Sequence, residues 1–308
     1  GFFSTEAQKY LGKIKTIKIG IPDFVKEKNN ENIYLLEEED YKNIIPKRDI
    51  VGHKGDYGKV LILAGSKGFT GAAYIVAEST ARTGSGLVTL LIEDELQNIF
   101  STRLIEQMTL RYSETEKIEK LLKNIDVLIC GPGLSQNNEN VNMLQKCIKE
   151  SNCYVVADAD ALNIISRKEE LLKSLKGRAI FTPHPGEMAR LVKKSISDVE
   201  NNRIEISREY AKENGVIVLL KGYNTVITNG EKTIINTTGT SKMASGGMGD
   251  CLSGIIGSLV GQSKNLFNSA ILGAYIHGKS GDKLGKTRFS VNSRDIIEAI
   301  PSIMEDLN

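Results

Sequence analysis

The chain contains no tryptophan, only three histidines and only six prolines among its 308 residues. His53, His184 and His277 are far apart, and Cys130, Cys147, Cys153 and Cys251 form no CxxC pair. A zinc site built from clustered His and Cys ligands is therefore not expected. No apolar run approaches the roughly twenty residues that cross a bilayer, and the first residues lack a signal-peptide pattern, so no membrane role is expected. The net charge is only +2, which gives no reason to expect a nucleic-acid partner. Three of the cysteines lie in apolar strand or helix patterns. They read as reduced, buried thiols in a cytoplasmic protein, where the Asn236-Thr237-Thr238 sequon has no meaning as a glycosylation site.

What is present is an ordinary globular composition, 40% apolar and 25% charged. The length suits one large α/β domain or two small ones. From Lys59 onward the pattern is strand, turn, helix, repeated. Val60 to Ala64 (VLILA) is a continuous apolar run, as in a strand buried on both faces. Further strands are read at Leu87 to Ile92, Asp126 to Cys130, Tyr154 to Ala157, Ala179 to Thr182 and Val216 to Leu220. Thr225 to Thr228 and Lys232 to Asn236 read as a hairpin around Asn229-Gly230. Helices are expected at Ala72 to Thr83, at Asn201 to Asn214 and over most of Leu252 to the C-terminus. Such alternation predicts an α/β fold with a mainly parallel central sheet and helices on both faces. Residues 1–40 read differently. Lys13 to Ile21 (KIKTIKIGI) alternates like a strand, and Lys26 to Asp40 is charge-rich linker with an apolar patch at Ile33 to Leu36. The main domain is placed at residues 41–308.

In open parallel sheets the ligand sits at the carboxyl ends of the strands, and the polar and glycine clusters here fall at those ends. The most specific stretch runs from Asn236 to Gly261, NTTGTSKMASGGMGDCLSGIIGSLVG. A glycine-rich loop ends at Asp250, and Leu252, Ile255, Ile256 and Leu259 follow at helical spacing. The first turn of a helix carries unpaired N–H groups and the positive end of the macrodipole, so it suits a phosphate. A carboxylate there would repel a resting phosphate. Asp250 therefore reads either as a base on a hydroxyl beside a phosphoryl group or as a simple helix cap.

Three motifs do not qualify. Gly281 to Thr287 is one residue short of a Walker loop and follows no strand; Gly131-Pro132-Gly133 has Gln136 where a dinucleotide fingerprint needs its final glycine; His53 to Lys59 also lacks Walker spacing.

Six segments occur in order: HKGDYGKVLILAGS (His53 to Ser66), GPGLS (Gly131 to Ser135), DADAL (Asp158 to Leu162), TPHPGE (Thr182 to Glu187), LLKGYNT (Leu219 to Thr225) and NTTG…MASGGMGD (Asn236 to Asp250). Together they resemble the ADP- or ATP-dependent NAD(P)H-hydrate dehydratases of the ribokinase-like superfamily, from about Ile45 to the C-terminus. Gly12 to Pro22 is similar to the closing strand of an NAD(P)H-hydrate epimerase domain, of which only a remnant is present, so no epimerase activity is expected.

The resemblance implies a reaction and roles for residues. A phosphoryl group from ADP or ATP, with Mg²⁺, goes onto the 6-hydroxyl of hydrated NADH or NADPH, and phosphate then leaves. Asp250 is implied as the base, contacting the hydrated dinucleotide, with the N–H groups of Gly247, Met248 and Gly249 holding the transferring group. Met248 departs from the family, which carries a smaller residue there. Lys221, Gly222, Tyr223, Asn224 and Thr225 are implied to line the nucleotide, joined by Asn236, Thr238 and Gly249. Ala72, Gly133 and His184 are implied substrate contacts; for Ala72 and Gly133 tight packing is the alternative, and for His184 a structural loop role. Glu187 either reaches a phosphate-bound Mg²⁺ or favours its helix N-terminus. Asp158 and Asp160 are placed where a metal-bound phosphate sits, and Asn163 beside them reads as a helix cap. A homo-oligomer is implied, a tetramer being common among bacterial relatives. The rival reading is a small-alcohol kinase of the same superfamily, which would release a stable phosphate ester.

Overall fold

Ten strands form one sheet in the computed structural model, which describes residues 31–308 and, before them, residues 7, 10–12, 14, 15, 17, 19–22 and 25. The strands are β1 (Ile33–Tyr34), β2 (Lys59–Leu63), β3 (Leu87–Ile92), β4 (Met108–Arg111), β5 (Val127–Cys130), β6 (Tyr154–Ala157), β7 (Ala179–Phe181), β8 (Ile217–Leu220), β9 (Thr225–Thr228) and β10 (Thr233–Asn236). Their order is β1-β10-β9-β8-β7-β6-β5-β2-β3-β4. Only β9 runs against its neighbours, pairing antiparallel with both β8 and β10; the other pairs are parallel. The expected parallel α/β sheet and the hairpin around Asn229-Gly230 are both present.

The strands form where the sequence supplies branched and leucine side chains to both faces. Along β2, Val60 and Ile62 point into one core cluster while Leu61 and Leu63 point into the other. The first cluster lies under helices Thr70–Arg82, Met248–Ser263, Leu266–Gly285 and Ser293–Glu305. The second lies under Thr115–Leu122, Asn138–Glu150, Ala159–Ile165 and Arg203–Asn214. Helix Met248–Ser263 is buried along its length because its small residues allow close packing: a Cβ on Gly254 would lie 2.6 Å from the carbonyl oxygen of Val76.

Chain order sets where a crevice opens. From β2 the chain moves outward to β3 and β4, and then crosses back to β5 on the other side of β2. The loops after β2 and β5 therefore diverge at a switch point, the usual place for a ligand in such sheets.

Several expectations change. Strand β4 was not foreseen; its sequence MTLR places one fully buried residue at the sheet edge. Within the stretch read as linker, Ile33–Tyr34 pairs with β10, and helix Glu38–Lys42 docks through Tyr41. The Tyr41 ring stacks on Tyr275 with centroids 3.7 Å apart, and Glu38 Oε2 accepts from Lys279 Nζ at 3.0 Å. Of the strand expected over Lys13 to Ile21, residues 13, 16 and 18 lie outside the described residues. The rest carry no strand, and Ile14, Ile17, Ile19 and Ile21 are exposed. Gly281 and Gly285 lie inside helix Leu266–Gly285. All four cysteines are buried free thiols, and burial pushes the Cys147 thiol up to about 12. Among the described residues no helix is long and apolar enough to cross a membrane.

Candidate active site

Helix Met248–Ser263 starts four residues before Leu252, where the helical spacing that announced it begins. Gly247 is its N-cap, in the left-handed conformation at φ 85°, and supplies no side-chain cap. Only glycine takes that conformation without strain, and a Cβ there would also lie 2.6 Å from Ile75 Cδ1. The Gly247 carbonyl accepts the Cys251 N–H at 3.0 Å. The N–H groups left without a partner inside the helix are thus those of Gly247, Met248, Gly249 and Asp250, which include the expected trio. The Met248 side chain packs against the core, so its bulk does not obstruct the turn.

Asp250 is half-buried in this turn. Burial, then the neighbouring Asp158 carboxylate, push its pKa up to about 6, against the pull of Lys221. The carboxylate is therefore largely ionised at neutral pH while close enough to its midpoint to accept a proton usefully.

Lys221 follows β8, and its Nζ donates to Asp158 Oδ1 at 2.6 Å. Glu187 Oε2 lies 3.9 Å from the same ammonium. Burial works against the charge on Lys221, but the carboxylates of Asp158, Glu187 and Asp250 outweigh it and raise its pKa. A Cβ on Gly249 would sit 3.3 Å from Lys221 Nζ. The ammonium thus lies against the bare side of the turn, as a phosphoryl clamp requires.

His184 and Glu187 close one another's backbone bonds at the start of helix Pro185–Val192. His184 Nδ1 accepts the Gly186 N–H at 3.0 Å, and Glu187 Oε2 accepts the His184 N–H at 2.8 Å. Burial, then Lys221 and Arg190, lower the pKa of His184. With Nδ1 an acceptor, the proton of the neutral ring is on Nε2, 3.3 Å from Glu187 Oε1. The ring remains half exposed. Burial raises the pKa of Glu187 despite Lys221, and both of its oxygens already face His184.

The other acidic candidates are held by bonds within the protein. Asp158 caps helix Ala159–Ile165 and is 1% exposed. Asp160 holds the loop after β5, accepting from Ser135 N–H at 2.8 Å and Gln136 Nε2 at 3.0 Å. Asn163 is inside its helix rather than at the cap and accepts from Arg190. Among the described residues no three His, Cys, Asp or Glu side chains converge as a metal site.

Ala72 and Gly133 meet at the switch point. Gly133 is left-handed at φ 58°, and a Cβ on it would lie 2.9 Å from that of Ala72. Ser66 Oγ donates to the Gly133 carbonyl at 2.8 Å, which locks the two loops together. Gly222 and Asn224 have positive φ, Asn224 is buried, and Tyr223 is exposed. Asn236 and Thr238, after β10, lean on helix Leu266–Gly285: Asn236 Nδ2 donates to the Ala274 carbonyl at 3.4 Å, and Thr238 Oγ1 donates to Asn236 Oδ1 at 3.0 Å. They lie beside this helix and make no bond to Lys221 or Asp250.

Two neighbours of the site were not foreseen. Ser253 donates to Asp158 Oδ2 at 2.8 Å from the helix that carries Asp250. His277 has a buried Nε2 with no hydrogen-bond partner, and burial lowers its pKa to about 4, opposed by the Met248 backbone.

Comparison with known proteins identifies the family. A family model described as NAD(P)H-hydrate dehydratase matches residues 60–302. The chain is 35% identical to a bifunctional NAD(P)H-hydrate repair enzyme of Moorella thermoacetica over 96% of its own length, and spans only 58% of that protein. It is 34% identical to an ADP-dependent (S)-NAD(P)H-hydrate dehydratase of Staphylococcus aureus, covering 85% of this chain and 94% of that one. A crystal structure of the ADP/ATP-dependent NAD(P)H-hydrate dehydratase of Bacillus subtilis, grown with ATP and Mg²⁺, superposes with a TM-score of 0.77 at 25% identity, over 91% of this chain and all of the other. This chain belongs to the NAD(P)H-hydrate dehydratase family.

Proposed function

We propose that the chain dehydrates hydrated NADH or NADPH at the expense of ADP or ATP. The observation that carries this reading is Asp250, a half-buried carboxylate with pKa near 6, in a turn of open amides beside the Lys221 ammonium. Asp250 takes the proton of the 6-hydroxyl as that oxygen forms a bond to the terminal phosphorus. The bond from phosphorus to the departing nucleotide breaks, and the amides of the first turn with Lys221 hold the charge that develops. The ring nitrogen then pushes phosphate off carbon 6, and loss of the carbon 5 proton restores the reduced nicotinamide ring. The rival kinase reading stops at the phosphate ester.

Lys221 to Thr225 line the nucleotide in this reading, with Asn236 and Thr238 at its far side. Ala72, Gly133 and His184 face the hydrated dinucleotide. Mg²⁺ would be held chiefly by the nucleotide phosphates and by water, and would supply charge to the transferring phosphoryl group. Glu187, with both oxygens engaged, would add at most one ligand. Residues 41–308, with β1 and the start of helix Glu38–Lys42 added to them, form the catalytic domain, the residues before β1 are remnant and linker, and the protein works in the cytoplasm as a homo-oligomer, with a tetramer as the expected form.

The test is hydrated NADH supplied with ADP or ATP and Mg²⁺. Recovery of the reduced-ring absorbance with release of inorganic phosphate is expected, with ADP preferred, as the name of the S. aureus relative implies. Accumulation of a phospho-alcohol without absorbance recovery refutes the reading.

A further inference from the structure

Asp158 takes no part in the steps proposed above, yet it lies directly beneath them. It holds three bonds at the end of β6: Lys221 Nζ at 2.6 Å and the Ala159 N–H at 2.9 Å on Oδ1, and Ser253 Oγ at 2.8 Å on Oδ2. Asp158 is 1% and Ser253 0% exposed. So buried and so occupied, Asp158 leaves no room for a metal-bound phosphate, and the earlier placement of one beside it gives way. Ser253 is three residues after Asp250, hence on the same face of the helix. A Cβ on Gly249 would lie 3.5 Å from Asp158 Oδ2 and 3.3 Å from Lys221 Nζ. One carboxylate thereby joins the end of β6, the end of β8 and the helix of the base.

Lys221 has a second acidic neighbour, Glu187 at 3.9 Å, on the side of His184. A lysine has a flexible stem and rotatable donors, so its position follows its strongest partner. We infer that Asp158, pinned by Ser253, is a positioning residue that holds the Lys221 ammonium beside Gly249 rather than letting it swing to Glu187. The inference deepens the proposed dehydration, and it assigns the lysine's geometry to two residues that touch neither substrate.

The charged groups around Asp250 are few. Asp158 faces it from β6 and Lys221 from β8, with Glu187 and His184 beyond Lys221. The buried Cys251 thiol is next to it on its own helix, and His277 reaches the Met248 backbone from helix Leu266–Gly285. Helices Thr70–Arg82 and Ser293–Glu305 meet this turn with the uncharged Ile75 and Ser293.

The experiment uses Asp158→Asn and Ser253→Ala in the full chain. The Asp250 carboxyl is titrated by carbon-13 NMR, assigned with Asp250→Asn, and kcat is measured with hydrated NADH, nucleotide and Mg²⁺. The Asp250 midpoint should rise by several tenths of a pH unit in Ser253→Ala, which keeps every charge but loosens the Lys221 ammonium that holds it down; the loss of a like charge works against that rise in Asp158→Asn. The kcat of Asp158→Asn should fall roughly tenfold to a hundredfold, with KM for the hydrated dinucleotide unchanged. Ser253→Ala keeps every charge and should lose about threefold to tenfold in kcat. A midpoint unmoved in Ser253→Ala, or a kcat loss that only tracks the unfolded fraction, overturns the inference. If Asp158→Asn does not fold, Ser253→Ala decides, and wild-type kcat in that variant overturns it. Should the unsubstituted chain show no turnover, the dehydration reading fails, and the titration alone decides the role of Asp158.

Discussion

The two sides of the crevice are built on opposite principles. Around Asp250 the site is a knot of charge: Asp158, Lys221, Glu187 and His184 lie within about one salt-bridge length of the next. Around Gly133 the carboxylate of Asp160 is tied to the loop, and the residues that meet there are neutral and small: Ser66, Ala72 and Gly133 fit by shape. The charged side has electrostatics to stabilise a reaction; the neutral side has the close backbone approach that sorts one ligand from another. The difference teaches that rate and recognition here are separable, and mutations should separate them.

The largest effect should come from the charged side. Asp250→Asn should cut turnover by roughly two to four orders of magnitude and leave nucleotide affinity, read by calorimetry, nearly unchanged. A variant that keeps most of its turnover removes Asp250 from the mechanism. On the neutral side, Gly133→Ala adds a methyl group 2.9 Å from Ala72 Cβ in a left-handed backbone. It should raise KM for the hydrated dinucleotide roughly tenfold while KM for the nucleotide stays put. Equal changes in both constants would erase the division between the two sides.

The smallest effect concerns stability. The pKa of Asp250 is raised from 3.8 to about 6 in the fold, so the folded state holds its proton more tightly than the unfolded chain. The stability this confers is complete below about pH 4 and is lost as the pH rises through 6. At pH 7 the ionised group is a strain on the fold, discounted because it is only half-buried. Asp250→Asn should therefore melt about 2 °C higher at pH 7 and show no gain at pH 4. Calorimetric scans at the two pH values check this. Equal gains at both would mean that the charge of Asp250 is not the cause.

Much of this organisation was legible in the residues. The apolar runs at Val60, Leu87, Val127, Tyr154, Ala179 and Ile217 became neighbouring strands, because a strand covered on both faces must be apolar throughout. Strand β4 escaped notice because an edge strand has no such requirement. Helix Met248–Ser263 was read from Leu252 onward by its periodicity, but periodicity does not register a first turn made of Met, Gly and Asp. The motifs pointed to Lys221 and Asp250. They gave no sign of Ser253 bonding to Asp158, since those residues are 95 apart and a serine in a helix carries no signature of its partner. For Asp160 its place after a strand suggested a metal-bound phosphate nearby, whereas its bonds to Ser135 and Gln136 fasten a loop.

The Tyr41–Tyr275 stack has a mechanical consequence. Helix Leu266–Gly285 is gripped on its outer side by Tyr41 and Glu38, while on its inner side the carbonyls of Ala274 and Tyr275 receive Asn236 and Thr238. The same turn of helix is thus a lever with a hand at each end. One turn of helix joins the Tyr41 ring to the loop that follows the last strand.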